Sequence, residues 1–303
     1  MSVLRRKSWQ DLRRRRARSF FTMATIAAAV VGMSLFAMPS LMNAAMSDRI
    51  LEDQLHDVRF FTSDLVLDEA ELDELASVPG VRAIDTRTTY RTVLVLGNRT
   101  EDVLLVGVRP SADQRVNIVT VDKGDQPRGA EAVTDAQNRL SGRFDGTIGD
   151  VPEVEDGAGQ LRPLVISGEG DTLVFSQFVA SDRAVLYVPQ DEVNRLAGYQ
   201  GVNSIELTVE RAEDAEAVMV AVRDRLVDLH PEIVFTELPD VREAGTWPGQ
   251  DDFDNFSVLF YVGAALALVS AMVLISNTMT TMVAEQVREV AVMKAIGGSR
   301  RQI

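Results

Sequence analysis

Residues 255–284 read NFSVLFYVGAALALVSAMVLISNTMTTMVA and contain no charged side chain. A second charge-free stretch, residues 19–47, reads SFFTMATIAAAVVGMSLFAMPSLMNAAMS. A hydrocarbon core about 30 Å thick is crossed by about 20 helical residues, and a helix satisfies its own backbone hydrogen bonds in lipid. Both stretches are long enough, so the sequence predicts transmembrane helices over residues 19–47 and 255–284.

The basic residues are concentrated at the two ends of the chain. Residues 1–18 carry eight Lys and Arg against the single acid Asp11, whereas residues 48–254 carry 19 basic and 42 acidic side chains. Because short cytoplasmic segments are enriched in Lys and Arg, this asymmetry predicts a multi-pass protein of the cell membrane. Both termini are expected in the cytoplasm and residues 48–254 outside it.

A cleaved signal peptide is the alternative interpretation of the first stretch. Its basic start fits, but its apolar region is longer than the usual 7–15 residues of a signal peptide. Asn43-Ala44-Ala45 is also an imperfect cleavage site. An uncleaved membrane anchor is therefore favoured.

Residues 48–254 are numerous enough for one large or two small domains. Strand-like segments at 58–67, 88–96, 103–108, 161–167, 172–179, 204–209 and 233–237 alternate with helical patterns at 68–77, 132–140, 190–197 and 213–229. Glycines at 124, 129, 198 and 201 predict an inserted subdomain over about residues 125–200. The expected fold is α+β with two subdomains, followed by a linker over 239–254 in which Trp247 is an interfacial anchor.

Both predicted membrane helices carry small residues at four-residue spacing: Ala24, Ala28 and Gly32 in the first, and Gly263, Ala267 and Ala271 in the second. Such residues let two helix backbones approach closely. Alanine-rich membrane helices also show this spacing by chance, so both interpretations stay open.

The composition excludes several kinds of chemistry. The chain has no cysteine and only two histidines, which excludes disulfides, thiolate metal sites and cysteine nucleophiles. It contains no nucleophile elbow, metalloprotease motif or phosphate-binding loop. We expect a structural or solvated role for His56, His230 and the acidic side chains of Asp251, Asp252 and Asp254. The net charge of −14 disfavours binding to nucleic acid. We expect a protein with no catalytic residues, no cofactor and no metal.

Beyond the second charge-free stretch, residues 285–303 read EQVREVAVMKAIGGSRRQI. The pattern predicts a helix that leaves the membrane, ends at Gly297-Gly298 and carries a basic tip. On physical grounds alone it is a juxtamembrane anchor whose arginines meet anionic lipid headgroups.

The same string resembles the signature that follows the second membrane helix in ABC transporter permeases of the FtsX/MacB type. The matching positions are Glu285, Arg288, Glu289, Lys294, Ala295, Gly297, Ser299 and Arg300. Residues 67–85, LDEAELDELASVPGVRAID, also resemble the opening of that family's MacB-like periplasmic core domain, and residues 146–150 resemble a later element of it.

The resemblance implies the N-terminal half of a non-catalytic permease that works as a dimer with a separate ABC ATPase, which binds the ATP. It implies ATPase contact through Glu285, Arg288, Glu289, Lys294, Gly297, Gly298, Ser299, Arg300 and Arg301. It also implies transport or extraction of a lipoprotein, peptide or lipophilic substrate. Family members have at least four membrane helices, so the chain is expected to be a fragment or a half-permease. The alternative is a two-span sensor or adaptor with an external ligand-binding domain.

Overall fold

The computed structural model describes residues 16–174 and 183–295. They fall into two compact units, one formed by the chain up to Asn43 and from Asp254 onward, the other by Ala44–Phe253. The helices are α1 (Arg16–Glu52), α2 (Glu69–Ala76), α3 (Ala136–Leu140), α4 (Gln190–Ala197), α5 (Ala215–Leu229) and α6 (Gln250–Ala295). The strands are β1 (Val58–Leu65), β2 (Val81–Arg87), β3 (Thr89–Leu96), β4 (Arg99–Val108), β5 (Thr120–Gly124), β6 (Glu131–Asp135), β7 (Glu153–Glu155), β8 (Leu161–Pro163), β9 (Val165–Asp171), β10 (Ala184–Pro189), β11 (Val202–Val209) and β12 (Asp240–Val241).

Helices α1 and α6 are long enough and apolar enough to cross a membrane. They pack against each other along positions that recur every seven residues: Thr25, Gly32 and Pro39 on α1, and Ser257, Ala264 and Ala271 on α6. A seven-residue repeat is typical of helices that cross at a shallow left-handed angle. Most other side chains of both helices are apolar and exposed.

The two helices approach each other closely at Gly32. A Cβ atom there would lie 3.2 Å from the Cβ of Ala267 and 3.3 Å from the carbonyl oxygen of Ala264. The ring of Phe36 meets that of Tyr261 edge-on at 5.7 Å. The predicted small-residue faces thus meet through Gly32 and Ala267, although the buried positions follow a seven-residue rather than a four-residue spacing.

A four-stranded antiparallel sheet, in the order β12-β1-β11-β2, forms the first part of the α+β unit. Helices α2 and α5 bury their apolar side chains, among them Leu75, Val222 and Leu226, in one core with this sheet. Helix α2 begins as its sequence predicts, because the Asp68 carboxylate accepts a hydrogen bond from the backbone N–H of Glu71, and the Glu71 carboxylate accepts one from the backbone N–H of Asp68.

An eight-stranded mixed sheet, in the order β5-β9-β6-β10-β4-β3-β7-β8, forms the second part. Strand β10 pairs in parallel with β4, and β6 pairs in parallel with β9. Alternate residues of the central strands enter two separate apolar clusters, as Leu105 and Leu186 do on one face and Val106 and Tyr187 on the other. Both faces of this sheet are therefore buried at its centre.

The structure differs from the sequence prediction at several segments. Residues 132–140 were expected to form one helix, but 131–135 form β6, because Ala132 and Val133 are fully buried between β9 and β10. Residues 172–174 are not a strand, and 175–179 lie outside the described residues. Residues 233–237 make a single bridge, between Thr62 and Phe235, instead of a strand.

The sheet boundary and the return segment also differ. An inserted subdomain was expected from about residue 125, whereas the eight-stranded sheet already begins at Thr89, because the β3–β4 hairpin pairs with β10. The division into subdomains itself remains a prediction. Trp247 is not an exposed interfacial anchor: it is 3% exposed and packs against Phe253. Asp251 and Asp252 lie in the first turn of α6, with Asp254 just beyond it, where their charges suit the helix dipole.

Candidate functional sites

The coupling segment predicted at residues 285–303 is only partly described. Residues 285–295 continue α6 without a break, and the side chains of Arg288 and Lys294 are exposed. Gly297, Gly298, Ser299, Arg300 and Arg301 lie outside the described residues. The predicted bend at Gly297-Gly298 therefore stays a prediction.

Helical geometry groups some of the predicted contact positions and separates another. At 100° per residue, positions 285, 288 and 289 fall on one face of α6, whereas position 294 falls on the opposite face from 285. A partner that contacts all four positions must therefore reach around the helix rather than touch one stripe. The resemblance gave no sign of this division.

A mostly buried polar cluster, which we call the polar joint, lies where the chain enters and leaves the α+β unit. Its members are His56, Asp57, Arg87, Asn117, Glu206, Asp240 and Arg242. They come from the start of β1, from β2, β11 and β12, and from the loop after β4. The joint connects segments that are far apart in the sequence.

Glu206 and Arg87 form the ionic centre of the joint. Glu206 is fully buried, its Oε2 lies 3.3 Å from Nε of Arg87, and it accepts a hydrogen bond of 2.6 Å from Nδ2 of Asn117. Burial acts to raise the pKa of Glu206, but the charges of Arg87, Arg59 and His56 outweigh it and the pKa lies below its ordinary value. Glu206 is therefore held as a carboxylate.

The end of α1 is fastened to the loop that carries Asn117. The backbone N–H groups of Asn117 and Ile118 donate to the carbonyl oxygens of Gln54 and Asp53 at 3.0 and 2.7 Å. Asn117 and Gln54 have φ angles of 53° and 48°, in the left-handed region that asparagine tolerates better than most residues. The carboxylate of Asp53 also accepts a hydrogen bond from the backbone N–H of Leu173 at 2.7 Å, although burial raises its pKa.

Arg242 holds the returning chain on the other side of the joint. Its guanidinium donates to the carbonyl oxygens of His56 and Thr246, both at 2.9 Å, and to the carboxylate of Asp57 at 2.5 Å. The second oxygen of Asp57 accepts from the backbone N–H of Val209 at 2.8 Å. Residues 56–57 and 242–246 are thus fixed to each other and to β11.

A cleft of about 900 Å³ opens over the face of the eight-stranded sheet that carries Tyr187. Its floor is apolar, with Val119, Val121 and Val133 beside Tyr187, and Arg128 and Asp191 are among the polar side chains at its edge. Pockets of this size with apolar walls and a few polar groups are typical of small-molecule sites. The sequence gave no indication of the cleft, because its lining comes from five separate segments.

The histidines and acidic residues do not assemble into a metal centre within residues 16–174 and 183–295, where no cluster of three or more suitable side chains lies together. His56 belongs to the polar joint, and His230 contacts the carboxylates of Glu71 and Glu232 at 3.2 and 3.3 Å. Sequence reasoning expected His56 to be structural or exposed. It missed the joint because its partners lie 61 and 184 residues away.

No protein-family model and no curated protein matches this chain. Among solved structures, it is similar to the extracellular domain of the noncanonic ABC-type transporter YknZ from Gram-positive bacteria, at 14% identity and a TM-score of 0.41, over 62% of this chain and 99% of that one. It is also similar to the periplasmic region of MacB from Actinobacillus actinomycetemcomitans, at 13% identity and a TM-score of 0.40, over 61% and 91% of the two chains. At these scores the likeness assigns no role to any residue.

Proposed function

We propose that this chain is part of the permease subunit of an ABC transporter of the FtsX/MacB type. The observation that carries the proposal is the string REVAVMKAIGGSRRQI, which directly follows an apolar, charge-free stretch. The helix–domain–helix order and the unbroken continuation of α6 to Ala295 support it. The basic ends and acidic middle support a membrane location with residues 48–254 outside the cytoplasm.

The chain's role is mechanical rather than catalytic. An ABC ATPase subunit binds and hydrolyses the nucleotide, and its closure moves the segment that begins at Glu285. Helices α1 and α6 pass this movement to the α+β unit, which acts outside the membrane on a lipoprotein, a peptide or a lipophilic compound. A second permease copy packs against the exposed apolar faces of the helices, and lipid covers the remainder.

Charge reversal in the coupling segment tests the proposal. Lys294→Glu combined with Arg300→Glu should abolish co-purification with the cognate ABC ATPase and reduce its stimulated ATP turnover, because both positions would become repulsive toward an acidic partner surface. Binding and turnover are measured on the full-length subunit in lipid nanodiscs. Unchanged assembly and turnover would refute the contact assignment.

A matched control keeps the number of reversed charges constant. Arg99→Glu combined with Arg223→Glu alters two exposed cations of the α+β unit, whose ion pairs with Asp145 and Asp224 are solvent-exposed and contribute little. This double variant should bind and stimulate the ATPase as the unaltered chain does. A loss in both double variants would indicate a general charge effect instead of a specific contact.

A two-span sensor is the second candidate, and the cleft over the eight-stranded sheet favours it, since an external ligand-binding site is what a sensor needs. The DNA that continues past codon 303 separates the two candidates. A permease requires further apolar spans there, and a sensor requires a signalling domain. A signalling domain in that position would refute the permease proposal in favour of the sensor.

A further inference from the structure

His56 lies in the short segment between the end of α1 and the start of β1. It is 3% exposed and its ring lies between Asn117, on the loop after β4, and Asp240, on β12. Strand β12 is joined to β1 by only two residue pairs, Val58 with Val241 and Arg59 with Asp240. The contact between His56 and Asp240 therefore docks this short strand together with the packing of Val241 and the ion pair between Arg59 and Asp240.

The orientation of the Asn117 amide is fixed by its neighbours. Its Nδ2 donates to Glu206 at 2.6 Å, so its Oδ1 faces His56 and accepts the backbone N–H of His56 at 2.9 Å. The ring Nδ1 of His56 lies 3.1 Å from the same oxygen. Because an amide oxygen only accepts hydrogen bonds, Nδ1 must carry a proton.

The other ring nitrogen also faces an acceptor. Nε2 of His56 lies 3.3 Å from Oδ2 of Asp240, and an ionised carboxylate only accepts. A neutral imidazole has one N–H, whereas this arrangement requires two. The form that satisfies both contacts is the imidazolium cation.

Loss of the proton would affect the two contacts unequally. Asn117 is fully buried and held by Glu206, whereas the Asp240 side chain is 48% exposed and also contacts Arg59. A neutral His56 would keep its proton on Nδ1 and turn the lone pair of Nε2 toward the carboxylate of Asp240. Without that hydrogen bond Asp240 is still ionised, because an aspartate has an ordinary pKa of about 3.9 and the neighbouring Arg59 also favours the carboxylate, so the two groups repel each other.

Five charged side chains lie around His56. Asp240 and Glu206 are the nearby acids, and Arg59, Arg87 and Arg242 are the nearby bases. Arg87 is paired with Glu206, and Arg242 is paired with Asp57 and touches only the backbone oxygen of His56. Asp240 is therefore the group whose binding changes most when His56 changes charge.

We infer that His56 is a protonation-dependent latch that docks residues 238–241 onto the edge of β1 and releases them when it becomes neutral. Histidine ordinarily changes charge between about pH 5 and 8. Release would be confined to the residues before Arg242, because Arg242 is held separately by Asp57, His56 and Thr246. Its consequence for transport rests on the proposed function, which places the joint outside the cytoplasm, but the latch itself does not.

The chain is well suited to the test, since it has no cysteine and only two histidines. A spin label on Leu238→Cys, a fully solvated side chain, reports on the docked segment of the full chain in lipid nanodiscs. Between pH 5.5 and pH 8.5 the ratio of mobile to immobile label should rise about fivefold, the change expected when one hydrogen bond of ordinary strength is lost. A label on Glu243→Cys, beyond Arg242, should not respond.

Substitutions at His230, His56 and Asp240 identify the residues that cause the pH response. His230→Gln should leave the pH response at Leu238→Cys unaltered, whereas His56→Gln should flatten it. Asp240→Asn should flatten it as well, because an amide can donate to a neutral ring. A response that is absent in the unaltered chain, or that survives His56→Gln, would overturn the latch. No ATPase or nucleotide is needed, so failure of the permease proposal would not affect this result.

Discussion

Glu206 is a fully buried carboxylate at the centre of the polar joint. It is ion-paired with Arg87 and accepts a hydrogen bond from Asn117. Removing one partner of a buried ion pair leaves the other charge uncompensated in a medium that solvates it poorly. The free energy of unfolding is therefore affected more by removing one partner of the pair than by the net contribution of the intact pair.

Glu206→Gln should lower the free energy of unfolding at pH 7 by about 3–5 kcal/mol, the range measured when a buried pair loses one charge. The measurement is a denaturant midpoint followed by circular dichroism. Asp145→Asn removes a carboxylate from the exposed pair with Arg99 and should cost about 0–1 kcal/mol. Equal effects of the two variants would contradict the buried role of Glu206.

The same residue predicts a pH dependence with a definite sign. The pKa of Glu206 in the folded chain is below its ordinary value, so the unfolded chain binds this proton more readily. Its contribution to stability is present above the ordinary glutamate pKa and is lost as the pH falls through the lower folded value. The stability difference between the unaltered chain and Glu206→Gln should therefore shrink below about pH 4.5.

At the scale of elements, helices α1 and α6 meet through small residues at the approach of Gly32 to Ala267. Gly32→Leu should force the helices apart, because even a Cβ atom there already lies in close contact. Cross-linking between Phe36→Cys and Tyr261→Cys should fall severalfold, since small residues at the interface are what let the two helix backbones approach closely. Ala27→Leu, at an exposed position of α1, is the matched control and should leave the yield unchanged.

At the scale of the whole molecule, the charge asymmetry predicts which segments face the cell exterior. A membrane-impermeant maleimide should label Asp122→Cys in intact cells, but Gln10→Cys and Gln286→Cys only after permeabilisation. Labelling at position 286 in intact cells would contradict the predicted topology. Loss of residue 10 from the mature chain would indicate the signal peptide instead of the anchor.

Local features were predictable where neighbouring residues decide the structure. Helix α2 follows from Asp68 and Glu71, which cap it three residues apart. The β3–β4 hairpin follows from two alternating segments around Gly97, whose φ of 60° suits a tight turn. The prediction for residues 132–135 was wrong for the opposite reason. Their sequence has a helical pattern, but they are buried as a strand between β9 and β10, which come later in the chain.

The sequence alone determined the two apolar helices, the uneven distribution of charge and the C-terminal motif, because each depends on residues that are adjacent or a few positions apart. Only the tertiary structure decided the polar joint and the cleft. His56 is joined to Asn117 and Asp240, and Glu206 to Arg87, across more than 60 residues of chain. Such pairings are selected by the free energy of burying charge and apolar surface together, which no local pattern records.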